Sequence, residues 1–256
     1  MLLFTIVPLG IIAVYTFTDP SGTFTFKNIV SILDYAPIFL RSIWLSAAAT
    51  ALCLVLGYPA AFFIASCTPR IQRMLQMLIM LPMCLSFLLR TLAWVAILED
   101  TGIINNILSA AGIGPLPLIR NNGAVILGMV YNYLPYMILP LYTSLSKIDY
   151  RLIEAGSDLG CSKRQLFTRV TFPLSLPGVT SGITMVFVPA VSTFYISQKL
   201  GSTGSVMVGD IIESQFKNSY NPNLGAAMSL LLMILIFICV GISNHFTGTD
   251  SGEDVS

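Results

Sequence analysis

Six long apolar runs decide what this chain can become. They lie at about 1–17, 43–66, 74–98, 124–146, 178–197 and 224–243, each bounded by charge, Gly or Pro. A hydrocarbon layer about 30 Å thick needs roughly 20 mostly apolar helical residues to cross it, and each run is near that length. None alternates in the ten-residue pattern of a membrane barrel strand. Charge agrees, since only 10% of the 256 residues are Asp, Glu, Lys or Arg against roughly 25% in a soluble domain. The reading is an all-α, polytopic membrane protein with six transmembrane helices. A net charge of +1 excludes an electrostatic nucleic-acid binder; lipid is the main partner of the surface. No repeat or Gly/Ser linker divides the chain, so 1–246 reads as one transmembrane domain and 247–256 as a short polar tail.

Short cytoplasmic loops are enriched in Lys and Arg. Arg70 and Arg73 stand between the second and third runs, and Lys147, Arg151, Lys163, Arg164 and Arg169 between the fourth and fifth. The three longer connections share Lys27, Arg41, Arg120, Lys199 and Lys217. Both termini therefore read as cytoplasmic, the tail with Asp250, Glu253 and Asp254 included. The first run starts at Met1 without a basic flank and holds Pro8, which is no signal peptide and points to a truncated chain or a start upstream of Met1. Five cysteines, Cys53, Cys67, Cys84, Cys161 and Cys239, show no CxxC spacing; neither disulfides nor a zinc site are expected.

Bond chemistry has little to work with. Catalysis inside a bundle needs a nucleophile and base, a carboxylate pair or metal ligands, yet the one histidine, His245, follows the last run and no acid sits well inside any run. There is no G-x-x-x-x-G-K-[ST] phosphate loop. No cofactor, metal or catalytic residue is expected, and any nucleotide must bind another chain.

The polar stretch 147–177 carries the strongest local signals. Asp149 can cap a helix over about 150–159, and Gly160 stands where a left-handed residue would close it. Ser162 with Gln165 has capping-box spacing, Pro173 is expected to stop the second helix, and Pro177 suits the first turn of the fifth span. Periodicity alone also permits an ordinary solvated connector. Within it, Glu154-Ala155-Gly156, Gly160 and Val170-Thr171-Phe172-Pro173 resemble the E-A-A-x3-G-x9-I-x-L-P signature of permease subunits of bacterial ABC importers. Gly156, Val170 and Phe172 depart from it by small or apolar replacements. Leu56-Gly57-Tyr58-Pro59, Leu89 to Trp94, Tyr131 to Tyr142 and Ile211 to Phe216 look like the spermidine/putrescine branch. The resemblance implies a type I importer transmembrane domain in the cell membrane. It also implies an ATP-binding subunit dimer, a second homologous permease and an extracytoplasmic solute-binding protein as partners. Glu154, Ala155, Gly156, Gly160, Val170, Phe172 and Pro173 would then form the coupling loop that docks on the ATPase.

A polyamine needs carboxylates for its ammonium groups and aromatic faces for cation–π contact. Glu99, Asp100, Asp210 and Glu213, with Trp94, Tyr131, Tyr133, Tyr136, Phe194 and Tyr195, are the candidates; Ser192 and Thr193 follow Pro189, which is expected to kink the fifth span. Each carboxylate also reads as a solvated loop charge, and the aromatics as an interfacial belt. Arg90, about 12 Å from the outer end of the third run, reads as a snorkelling or structurally paired residue before it reads as a ligand. Two alternatives stay open: an importer for another small solute (an amino acid, metal or anion), and a stand-alone ion-driven carrier, which predicts acidic relays inside spans that are missing.

Overall fold

Lipid offers a backbone N–H or C=O no partner, so a crossing segment must close its own hydrogen bonds as a helix. The computed structural model describes residues 2–19, 22–112, 114–217, 219 and 221–247. Helices occupy most of every apolar run: α1 (Leu2–Thr16), α2 (Lys27–Ile32), α3 (Ala36–Ala65), α4 (Pro69–Met80), α5 (Phe87–Leu98), α6 (Ile103–Ala110), α7 (Asn122–Leu145), α8 (Tyr150–Asp158), α9 (Lys163–Leu166), α10 (Phe172–Val191), α11 (Tyr195–Leu200), α12 (Val208–Lys217) and α13 (Pro222–Thr247). Met1 and the tail from 248 on, with Asp250, Glu253 and Asp254, lie outside the described residues.

Among the described residues, four stretches are long and apolar enough to cross a bilayer: Lys27–Ala65, Asn122–Leu145, Lys163–Val191 and Pro222–Ile242. A fifth exists if Pro69–Cys84 and Phe87–Ala110 count as one broken span, and α1 contributes a shorter apolar helix, Ile6–Thr16. Three expectations need correction. The run 74–98 is not continuous, because a 3-10 turn over Leu81–Cys84, opened by Pro82, runs into extended backbone at Leu85. Pro173 does not stop a helix: a five-residue π-helical turn, Phe167–Thr171, joins α9 to α10. Pro173 thus lies inside one continuous helical stretch, Lys163–Val191, directly after the π-helical turn where the ordinary hydrogen-bond ladder is already interrupted, and Pro177 follows one turn further on. The fifth span does not bend at Pro189 and continue to 197; it ends at Val191, and α11 begins after Phe194.

Contacts divide the chain into two units, Met1–Ala49 with Phe87–Met129 and Val188–Ile238, and Thr50–Ser86 with Val130–Phe187 and Cys239–Ser256. In the second unit α7 and α10 cross closely through Gly178 and Gly182, a small-xxx-small pair that lets backbones approach in a membrane. A Cβ on Gly178 would lie 2.8 Å from the Pro140 carbonyl oxygen, and one on Gly182 2.7 Å from Met137 Sδ. Met137 and Leu141 are fully buried there.

In the first unit, α12 is fixed at its N-terminus. The Met207 N–H donates to Asp210 Oδ2 at 2.7 Å, the Val208 N–H to Ser42 Oγ at 2.8 Å, and Ser197 Oγ–H to Asp210 Oδ1 at 3.0 Å. These bonds use donors that helix geometry leaves unpaired. Asp210 is only 9% exposed, and burial pushes its carboxyl up to about 6 against the hydrogen bonds from Met207 and Ser197. Unfolded, the same group titrates near 3.8.

Two measurements check this packing. Gly178→Val should lower the unfolding free energy of the detergent-solubilised protein by about 2 kcal/mol or more, because a backbone oxygen cannot move aside, whereas Gly10→Ala, with open space around it, should change it by less than about 0.5 kcal/mol. Asp210 contributes most below pH 3.8 and loses that contribution as pH rises through about 6. Asp210→Asn should therefore match or exceed the parent in thermal stability near pH 7 and lose that advantage towards pH 4, a swing on the order of 2–3 kcal/mol.

Candidate coupling loop and solute cavity

Local chemistry builds the loop before tertiary contacts refine it. Asp149 accepts from the Arg151 N–H at 3.0 Å and starts α8. At the other end Gly160 takes φ +79°, the Gly160 N–H donates to the Ser157 carbonyl and the Cys161 N–H to that of Gly156. This pair of bonds is a Schellman closure, which needs a left-handed residue that glycine supplies without strain. Ser162 and Gln165 form the capping box of α9, at 2.8 and 3.3 Å. Gly156 sits where α8 meets α9: a Cβ there would fall 2.6 Å from Leu166 Cδ2, the tip of a side chain that can turn aside.

Motif residues divide between surface and anchor. Glu154 and Ala155 are exposed, and so are Leu152 and Leu159, the latter by 85%. Val170 is half-buried, and Phe172 and Pro173 open α10. Phe167 and Phe172 pack on Tyr58, with ring centroids 5.7 and 6.0 Å away, and Phe167 lies 6.3 Å from Phe62. Tyr58 also shares a 2.9 Å hydrogen bond with Ser175. Exposed apolar groups thus ride on a knuckle whose base is clamped to α3. Beside it lies a cavity of about 830 Å³ lined by α7, α10 and Lys147, Ile148, Asp149 and Leu152 of the loop, with Tyr136 among its walls.

In the first unit a cavity of about 480 Å³ brings together three of the predicted pathway residues, Ser192, Phe194 and Glu213. Gly209 and Ile212 complete one side, and Ser229, Leu232, Met233, Ile236 and Phe237 the other. Those last five were missed, although 229, 232, 233, 236 and 237 form one face at helical spacing. Glu213 Oε1 accepts from Lys217 Nζ at 2.6 Å and its other oxygen from Gln198; these two bonds hold its carboxyl below the usual range. Asp210 is committed to α12 instead. Glu99 and Asp100 are exposed beyond α5 and line neither cavity. Tyr195 packs on Phe87 at 6.3 Å with Lys199 Nζ 5.8 Å over its ring, Trp94 is half-buried on α5, and Tyr133 and Tyr136 pair at 6.4 Å in the second unit.

With this geometry in place, similarity to known proteins is informative. Residues 54–247 match the family described as binding-protein-dependent transport system inner membrane component. The chain is 34% identical over 250 residues to the spermidine/putrescine transport system permease protein PotB of Haemophilus influenzae, covering 94% of this chain and 87% of that one. Against PotB of Escherichia coli the identity is 37% over 217 residues, with coverage of 83% and 79%. A crystal structure of a bacterial ABC transporter involved in the import of the acidic polysaccharide alginate shares the fold, with a TM-score of 0.77 over 96% of this chain and 90% of that one at 18% identity. A match along most of the chain, with relatives above 30% identity over most of their own lengths, makes this protein a member of the binding-protein-dependent transport system inner membrane components.

Proposed function

We propose that this chain is a permease subunit of an ATP-driven importer of spermidine and putrescine. The polypeptide crosses the cytoplasmic membrane six times, with α1 and the broken α4–α5 pair supplying two crossings and both termini inside. ATP hydrolysis belongs to a separate subunit dimer, a second permease completes the pathway, and an extracytoplasmic binding protein delivers the solute. The observation that carries this reading is the rigid two-helix knuckle over 149–166: its caps are complete within the loop, yet Leu152 and Leu159 remain exposed. An apolar surface held on a stiff mount suits insertion into a groove of another protein. Glu154 to Gly160 is the part in contact with the ATPase, and Val170, Phe172 and Pro173 tie it to α10.

The solute reading rests on the PotB relatives and on the smaller cavity. A polyamine alternates short methylene runs with ammonium groups. Phe194, Ile212, Leu232 and Met233 offer apolar wall for the former, and Glu213 with Ser192 and Ser229 offers acceptors for the latter. The ammonium of Lys217 already sits on Glu213 at 2.6 Å, a binding mode that a polyamine nitrogen can take over by exchange. Glu99, Asp100, Trp94, Tyr133, Tyr136, Tyr195 and Asp210 belong to the wider pathway.

Reconstitution with the ATPase, the second permease and the binding protein should give ATP-dependent uptake of labelled spermidine; uptake of an oxyanion or amino acid in its place would reject the solute assignment. Glu213→Gln should lower spermidine kcat/KM about tenfold with ATP turnover still stimulated by the loaded binding protein. Gly160→Val, which forces a β-branched residue to φ +79°, should abolish coupled uptake, while Gly160→Asn, tolerated in left-handed backbone, should retain most of it. Equal uptake by both Gly160 variants would count against the coupling role.

A further inference from the structure

Between α1 and the crossing part of α3 the chain presents an apolar surface that its own packing leaves open. Past Thr16 it turns back on itself: Thr18 and Phe24 form an antiparallel bridge, and the Thr25 N–H donates to the Phe17 carbonyl at 2.9 Å. Three rings gather there, with Phe24 stacked on Phe17 at 5.8 Å and Phe26 edge-on to Phe17 and Phe24 at 5.9 and 5.2 Å. Phe24 and Phe26 nevertheless stay 70 and 59% exposed. From Phe26 a stripe continues along α2 and into α3 at helical steps of three, four and seven: Ile29, Val30, Leu33, Leu40 and Trp44 are each exposed by 39 to 71%. Asn28, Ile32, Phe39 and Ser42 are the buried positions of the same segment. Lys27, Asp34 and Arg41 fall off the steps of the stripe, so no charge interrupts it.

Hydrogen bonds set the height of this surface. Asn223, the second residue of α13 and buried, donates from Nδ2 to the carbonyls of Tyr15 and Thr18. Asn28, also buried, donates to those of Thr16 and Thr18 at 3.1 and 3.0 Å. The end of α1, the start of α2 and the start of α13 therefore share one level. The crossing stretch Pro222–Ile242 has 21 residues, about 31 Å of helix, which fills the hydrocarbon layer from one side to the other. Asn223 thus marks the bilayer boundary. The apolar run that crosses with α3 begins near residue 43, so Asn28 to Ser42 run along that boundary before the crossing starts.

We infer that Phe24, Phe26 and the exposed stripe of α2 and early α3 are an anchor embedded in the acyl–headgroup boundary of the bilayer. Aromatic side chains concentrate at that depth, and a helix with one apolar side lies in the plane of the interface. Lys27 and Arg41 have stems long enough to bring their charges to the headgroups. The side of α1 nearest this level is apolar as well, with Ile11, Val14 and Tyr15 exposed. A docking seat for the binding protein fits less well, because that partner leaves in every cycle and an uncharged apolar patch of this size would then stand in water. Ser42 accepts from the Val208 N–H at 2.8 Å, so the anchored segment also holds the start of α12 and fixes the height of the cavity that contains Glu213. The inference goes beyond the proposed function: it depends on the membrane location and on the crossing by α13, and the solute does not enter into it.

The test places a photoreactive group in the assembled complex in native membranes. Phe24→p-benzoylphenylalanine and Val30→p-benzoylphenylalanine should each keep solute uptake and, on illumination, give phospholipid adducts of this chain as the main product, read as a mass increase of one lipid. Leu159→p-benzoylphenylalanine, on the coupling loop, should instead give an adduct with the ATPase subunit. Loss of that adduct alone counts against the proposed coupling, while positions 24 and 30 still report separately on the anchor. Main adducts with the second permease or with the binding protein at 24 and 30 would overturn the anchor in favour of a protein docking surface. Absence of lipid adducts at both positions would overturn it as well.

Discussion

Every backbone amide in the hydrocarbon layer has to find its partner within the protein, and each departure from straight helix here is tied to a place where that demand is met some other way. The interruption at Leu85–Ser86 follows a proline-led 3-10 turn, which spends its hydrogen bonds at shorter range. The end of α10 is closed by side chains: Ser192 Oγ–H donates to the Val188 carbonyl at 3.1 Å. The start of α12 borrows Ser42 and Asp210 for donors the helix cannot use. Breaks in a membrane bundle are therefore compensated sites, and they are where the chain can place a serine or a carboxylate against a cavity.

The smaller cavity illustrates this. Ser192 and Phe194 reach it because α10 has ended, and Glu213 reaches it because α12 is pinned at its N-terminus about one and a half turns away. A continuous fifth span ending at 197 would have spread those residues around a helix. Glu213 and Asp210 are neighbours on α12 with opposite electrostatic fates: the half-buried carboxylate with an ammonium and an amide beside it is held ionised, and the more deeply buried one is pushed towards protonation.

Much of the fold was legible from local rules. The helix caps at Asp149, Gly160 and Ser162 depend on a few consecutive residues, so spacing alone located them. Apolar runs likewise located the membrane helices, since length against bilayer thickness is a one-dimensional constraint. What the sequence left hidden depends on contacts distant along the chain. Pro173 looks like a stop until the π-helical turn ahead of it is known. Gly178 and Gly182 read as ordinary membrane glycines until α7 supplies the Pro140 oxygen that excludes a side chain. Glu213 has Lys217 four residues on along the same helix, a spacing the sequence already shows, but the burial that sets Asp210 apart arises only when the elements around α12 pack. Of the pathway candidates, only those flanking the break after Val191 converged with Glu213.

The π-helical turn at Phe167–Thr171 gives a physical meaning to a number. Nine residues separate Gly160 from Val170, and that interval contains α9 and most of the turn. Each residue added to or removed from a helix rotates everything before it by about 100° around the axis. A chain with one residue fewer here could form unbroken α-helix from Ser162 into α10, yet it would swing Glu154 and Leu159 round to a different compass bearing. The fixed spacing is thus an azimuth setting: it aims the knuckle, and a single-residue deletion would leave a well-folded membrane protein presenting Glu154 and Leu159 in another direction.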